Sequence, residues 1–122
     1  MGGVAREDLR RGQLWWAWLD PAVGSEQAGR RPVVIVSGAD LLVGPTVMVV
    51  PLTSSFPERL PAIYVRMGHA DAQLSRESVA LCHQVRAIST RRLVRRIGNV
   101  PETEMRAIDR ALLYALGLED AA

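Results

Sequence analysis

The sequence contains no lysine: all 15 of its basic side chains are arginine, set against 13 acidic ones. The resulting net charge of +2 is too small to demand a nucleic-acid partner and permits one only through local clustering. All-arginine usage fits a GC-rich coding sequence. That reading is preferred, although arginine also suits phosphate recognition, because a guanidinium fork grips phosphate through two bonds where an ammonium offers a point charge. Cysteine occurs once, at Cys82, which excludes an internal disulfide and fits a reducing cytoplasm. With His69, His83 and that one cysteine, no zinc-ligand set falls at standard spacing, and no metal or other cofactor is expected. No apolar run approaches the roughly 20 residues that span a bilayer, so no membrane association is expected. The polar start, Met1 to Arg11, does not read as a secretory signal. Glycine-rich phosphate loops of the nucleotide-binding kinds are missing as well.

What is present suffices for one small core. At 122 residues with 48% apolar content, the chain reads as a single domain over 1–122, residues 1–9 forming a flexible N-terminal segment. A core this size often gains stability by pairing with a second copy. Residues 12–20 are rich in aromatics and read as a strand. A polar loop over 21–31 follows, then the β-branched run 32–37 and a second such run at 47–52, whose Pro51 suggests a strand end or bulge. Residues 62–67 and 78–88 predict further strands, the second long enough to bend. Thr90 to Arg96 predicts a short helix, with Ser89 as its cap and Gly98 as its stop. Pro101, Glu102, Glu104 and Gly117 frame a longer one, with Met105, Ile108, Leu112, Ala115 and Leu116 on one stripe. Strands followed by a terminal helix give an α+β domain, a small and strongly bent sheet or barrel closed by helices.

Polar groups that can do chemistry concentrate in the loop. Glu26, Gln27, Arg30 and Arg31 lie within six residues, and Pro32 restricts Arg31 to extended backbone at the mouth of a buried strand. An arginine held so rigidly suits stabilisation of a phosphate transition state. Read without any motif, the loop fits a solvated turn with an idle ion pair better. Thr53, Ser54 and Ser55 end the 47–52 run with three hydroxyls, by themselves a turn signal. If the 32–37 and 47–52 strands pair antiparallel, Arg31 and Thr53 converge on one point. Cys82 and His83 are neighbours on opposite faces of the expected strand, so they do not form a nucleophile–base pair.

Three blocks of the sequence, in order, resemble the MazF/PemK toxin family. RGQLWWAWLDPAVGSEQAGRRPVVIVS is similar to the family's opening strand leading into GSEQ-x-G-x-RP. VMVVPLTSS resembles its P-[IL]-T-S element, and SRESVALCHQVRAISTRRLVRRIGNVPETEMRAIDRALLYALGL its DSV…DQIRTID…VDRAL ending. Together they cover about residues 10–118. The resemblance implies an SH3-like barrel with a short and a C-terminal helix, a homodimer, and a toxin of a toxin–antitoxin pair. Such toxins cut single-stranded RNA without metal, the 2′-OH attacking to leave a 2′,3′-cyclic phosphate and a 5′-OH. An antitoxin protein covers their RNA groove. The family's active-site positions fall on Arg31 and Thr53, with Glu26 in support and Gln27, Ser55, Gln84 and Arg86 as RNA contacts.

The chain departs from the family pattern in three places. His83 stands where many relatives carry a carboxylate, and an imidazole suits general acid–base work. Trp18 replaces an aspartate, and reads either as core or dimer surface or as a base-stacking platform. The neighbourhood of Leu81 lacks an arginine that some relatives have. Arg86, Arg91, Arg92, Arg95 and Arg96 read as a solvated basic face. The alternative to a ribonuclease is a non-catalytic binding module on the same fold, either a degenerate toxin or a gyrase-poisoning relative.

Overall fold

The computed structural model describes residues 9–68 and 74–120. Seven strands, β1 (Gln13–Trp18), β2 (Arg30–Ile35), β3 (Thr46–Thr53), β4 (Tyr64–Met67), β5 (Ser78–Leu81), β6 (Arg86–Ser89) and β7 (Leu93–Asn99), precede one α-helix, α1 (Glu102–Ala115). The strands run in the order β4-β5-β3-β2-β1-β7, with β6 also on β3, and every ladder among them is antiparallel. This is the expected α+β architecture, a strongly bent sheet with a C-terminal helix.

β3 is the hub of the bend. One of its edges takes β2 over Val49–Pro51; the other takes β6 over Thr46–Val49 and then β5 at Leu52 and Thr53. Pro51 stands where that second edge passes from one partner to the next, and there a missing N–H costs least. The expected strand end at Pro51 is therefore a change of neighbour, and the strand continues to Thr53.

Alternation divides the central strands between two cores. Leu14, Val34, Val50 and Leu52 pack with Met67, Cys82, Met105 and Ile108 on one face. Trp15, Ala17, Val33, Ile35 and Val49 pack with Leu19, Leu42, Ile88 and Leu93 on the other. Burial on both faces is why Val33 to Ile35 reads as an unbroken apolar run and not as an alternating one. α1 covers the first face with Met105, Ile108 and Ala111, each side chain the size of Ile108 contributing about 1.5–3 kcal/mol by burial. The stripe ends earlier than expected: Leu116 is 63% exposed.

Three expectations need correction. Residues 78–88 are not one bent strand: a 3-10 turn at Cys82–Gln84 separates β5 from β6. That turn lets the chain leave β5 at the Leu52–Thr53 end of β3 and rejoin the same strand at Val49, from where it runs to Thr46. The short helix is a single 3-10 turn, Thr90–Arg92, which Ser89 does cap by accepting the Arg91 N–H. From Leu93 the chain is strand, because pairing with β1 supplies its backbone partners. Finally, residues 1–8 of the expected N-terminal segment, and His69, lie outside the described residues, whereas Leu9 is buried in the second core.

Candidate active site

The loop from Leu19 to Gly29 is fastened at many points. Its base is closed by Leu19 N–H on Gly29 O at 2.9 Å and by Gly29 N–H on the Asp20 carboxylate at 2.9 Å. Gly29 turns the chain at a φ of 72°, a conformation that side chains resist. Glu26 folds back to accept the Val23 N–H at 2.7 Å. Gln84, 57 residues away, clamps the tip: its Oε1 accepts the Gln27 N–H at 2.9 Å and its Nε2 donates to Ser25 O at 3.3 Å. Arg92 donates to the carbonyls of Trp18 and Asp20, and Arg86 to that of Leu19. Two of the five arginines read as a solvated face thus anchor the start of the loop.

Arg31 leaves this loop as the second residue of β2. Its Nε donates to Ala28 O at 3.0 Å, which fixes the root of the guanidinium and leaves the terminal nitrogens unbonded within the described residues. The β2–β3 ladder pairs Val33 with Pro51. Continued by two residues on each strand, the same register sets Arg31 opposite Thr53 on one face. β2 and β3 do pair antiparallel, as that convergence requires, with the ladder reaching Val33 and Pro51. The Thr53 hydroxyl is nearly buried and engaged locally, accepting the Ser55 N–H at 3.1 Å and donating to Ser55 O at 3.3 Å. Ser55 itself is exposed and meets Thr53 through its backbone.

A pocket of about 300 Å³ opens on this face, lined by Glu26, Gln27, Pro51, His83, Gln84 and Arg86. It gathers five of the residues expected to bind or cut RNA. The Gln27 Oε1 is buried with no hydrogen-bond partner among the described residues, an acceptor left unsatisfied beside this pocket. His83 is exposed and lies flat against Tyr64, ring centroids 5.7 Å apart and planes within 6°. Cys82, at the start of the same turn, is fully buried. Burial first, and the Asp109 carboxylate second, push its thiol up to about 12, so it is no nucleophile near neutrality.

Some expectations are not met. Glu26 makes no ion pair with Arg31 among the described residues; its carboxylate shapes the loop. Gln84 uses both ends of its amide on the loop, so it supports the site in this structure and does not offer a free edge to a base. Trp18 is 51% exposed and so is not core. Tyr64 was missed, since nothing in AIYVRM distinguishes a ring that orients a neighbour from one that packs. Among the described residues no cluster of His, Cys, Asp or Glu could hold a metal ion, and no helix is long and apolar enough to cross a membrane.

Residues 10–116 match a protein family described as the PemK-like, MazF-like toxins of type II toxin–antitoxin systems. The chain is 37% identical over 116 residues to the endoribonuclease MazF9 of Mycobacterium tuberculosis, covering 90% of this chain and 98% of that protein. Its fold is similar to a crystal structure of MazF from Deinococcus radiodurans, with TM-score 0.75 and 27% identity over 89% of this chain and 96% of the other. It is likewise similar to a mycobacterial endoribonuclease solved with its cognate antitoxin, with TM-score 0.74 and 26% identity over 89% and 95% of the two chains.

Proposed function

The chain belongs to the family of PemK-like, MazF-like toxins of type II toxin–antitoxin systems, and from that premise we propose that it is an endoribonuclease cutting single-stranded RNA, mRNA included, at short sequences without a metal ion. The observation that supports this reading is the antiparallel pairing of β2 with β3 up to Val33 and Pro51, which brings the strand ends bearing Arg31 and Thr53 alongside each other near the pocket of Glu26, Gln27, His83 and Arg86.

In the step we infer, the 2′-oxygen of one ribose attacks the adjacent phosphorus and gives up its proton to a base. The bond from phosphorus to O5′ breaks, and that oxygen takes a proton, leaving a 2′,3′-cyclic phosphate and a 5′-OH. Arg31 stays protonated in any protein, so its role is to neutralise the phosphorane. Thr53 donates to a non-bridging oxygen by turning its hydroxyl away from Ser55 O, a long bond at 3.3 Å. His83 carries the proton transfers, being the imidazole on the pocket wall, with one ring nitrogen able to accept a proton and the other to donate one. Glu26 is a support of the loop. Gln27 Oε1 accepts from a base or ribose at the cut, and Ser55, Gln84, Arg86 and exposed Trp18 border the path of the strand.

We further propose that the toxin acts in the cytoplasm as a homodimer and that a cognate antitoxin silences it by covering this face. The test is incubation of purified protein with a long single-stranded RNA in EDTA, followed by sequencing of the fragment ends. Fragments with 5′-OH ends at a recurrent short sequence are expected. Intact RNA at high protein excess would favour the binding-module alternative.

A further inference from the structure

Thr53, the last residue of β3, belongs to a row that runs across three strands. It pairs with Val79 of β5, and Val79 pairs in turn with Arg66 of β4, so the three residues share one side of the sheet. Glu77, two residues before Val79, falls on that side as well. Its carboxylate takes the Arg66 guanidinium at 2.9 Å, both side chains being about half exposed. The same guanidinium lies over the ring of Phe56, 5.3 Å from the ring centroid. Phe56 follows Thr53 by three residues, so the chain leaving β3 turns back across the row it has just left. Two strand spacings, roughly 10 Å, separate Thr53 from Arg66, and a short run of chain plus an arginine side chain close that distance. Either contact alone is weak on an exposed surface. Because they share one guanidinium, together they fasten the loop after β3 to both β4 and the start of β5.

We propose that Arg66 is a positioning residue for the reaction, acting through Phe56 and Ser55 on the Thr53 hydroxyl; the proposal rests on the ribonuclease reading. The Thr53 Oγ1 accepts the Ser55 N–H at 3.1 Å and donates to Ser55 O at 3.3 Å. To serve a phosphate oxygen the hydroxyl proton leaves Ser55 O, and the Ser55 N–H then keeps Oγ1 in place while the proton points at the substrate. The Ser55 side chain is exposed, so the backbone there takes its position from its neighbours. On one side that neighbour is β3; on the other it is Phe56, held by Arg66. The rival is that Arg66 and Phe56 meet RNA themselves, one as a phosphate contact and one as a stacking ring. A guanidinium already paired with Glu77 has its charge offset, and a ring already covered on one face has only the other to give. Both points favour positioning over contact.

The test measures cleavage of a single-stranded RNA, and amide hydrogen exchange of the free protein, in Arg66→Ala, Phe56→Leu and Glu77→Gln beside the conservative Arg66→Lys and Phe56→Tyr. Arg66→Ala and Phe56→Leu are each expected to lower kcat by roughly three- to tenfold at unchanged KM, with Glu77→Gln losing less. Exchange of the Ser55 amide should quicken in the same order. Arg66→Lys and Phe56→Tyr, which keep a cation and a ring, should recover most of the rate. In a Thr53→Ala background Arg66→Ala should cost nothing more, because the fastening acts through that hydroxyl. RNA binding in that background should keep its slope of log affinity against log salt, whereas a lost phosphate contact would lower the slope by about 0.7. A lowered slope, or an Ser55 amide that exchanges at its original rate, would overturn the proposal. So would a further loss of rate beyond that of Thr53→Ala. If the unsubstituted protein cuts no RNA, the ribonuclease reading fails by itself, and exchange at Ser55 still decides whether Arg66 holds the partner of the Thr53 hydroxyl.

Discussion

Arg30 and Arg31 are adjacent on one strand and both line a second, larger pocket of about 500 Å³, but their backbone positions belong to opposite sides of the sheet, and the two sides are built on different principles. On the Arg31 side nearly every polar group is already engaged: Gln84 with Gln27 and Ser25, Glu26 with Val23, Thr53 with Ser55, Arg31 with Ala28. The pocket on the Arg30 side is lined by four arginines, Arg30, Arg31, Arg76 and Arg95, that enter no ion pair among the described residues. Fixed dipoles cost no reorganisation when charge develops, so the first arrangement suits the reaction. Free charges surrounded by counterions release them on binding, so the second suits holding a polyanion. The contrast predicts that substitutions on the first face act on kcat and those on the second act on affinity and its salt dependence.

The strongest way to break that contrast is at the candidate catalytic pair. Arg31→Ala and Thr53→Ala are each expected to lower kcat by roughly 10²–10³, as loss of one transition-state donor does elsewhere, with KM for RNA changing little. Single-turnover cleavage under saturating protein would check it. A large rise in KM with kcat preserved would make Arg31 a binding arginine like Arg30 and erase the difference between the faces.

A smaller effect is expected at Gln84, where the question is whether the residue reads a base or holds the loop. Gln84→Ala removes both clamps and is expected to lower kcat/KM by about ten- to a hundredfold through misplacement of the loop that carries Arg31. Gln84→Glu keeps the acceptor for the Gln27 N–H and loses only the donor to Ser25 O, so it is expected to fall in between. Hydrogen exchange at the Gln27 amide should quicken in the alanine variant and not in the glutamate one. Altered cut sequence with unchanged exchange would return Gln84 to base reading.

The legible and illegible parts of the molecule divide along a similar line. The strands around Arg31 and Thr53 could be foreseen because β-branched runs and Pro32 announce them, and antiparallel pairing then fixes who meets whom. The turn at Cys82–Gln84 could not, since apolar residues continue on both sides of it and periodicity carries no break. Thr90 to Arg96 misled because RRLVRR fits a helical spacing as well as an alternating one; pairing with β1 decided for strand. The role of Gln84 depends on a loop 57 residues distant, and the second pocket on Arg76 and Arg95, which only the fold brings to Arg30 and Trp16.

Two stacks of planar groups, Tyr64 on His83 and Arg30 on Trp16, adjoin the two pockets, and the smallest expected effect separates their purposes. Tyr64 of β4 pairs with Leu81, two residues before His83, so its ring reaches the imidazole across the end of β5. The stack fills one face of the imidazole and leaves its edge toward the pocket shared with Glu26 and Arg86. An orienting ring is worth about 0.5–1.5 kcal/mol, so Tyr64→Leu is expected to lower kcat from a few-fold to about tenfold, while Tyr64→Phe keeps the stack and the rate. His83→Asn is expected to lower kcat, and Tyr64→Leu should add nothing to that variant, because an orienting ring acts only through what it orients. Neither substitution should change the salt slope of RNA binding, which the Arg30–Trp16 stack on the other face is expected to serve. Additive losses in the double variant, or a fall in the slope, would mean that Tyr64 meets the RNA itself and that both stacks are platforms for bases.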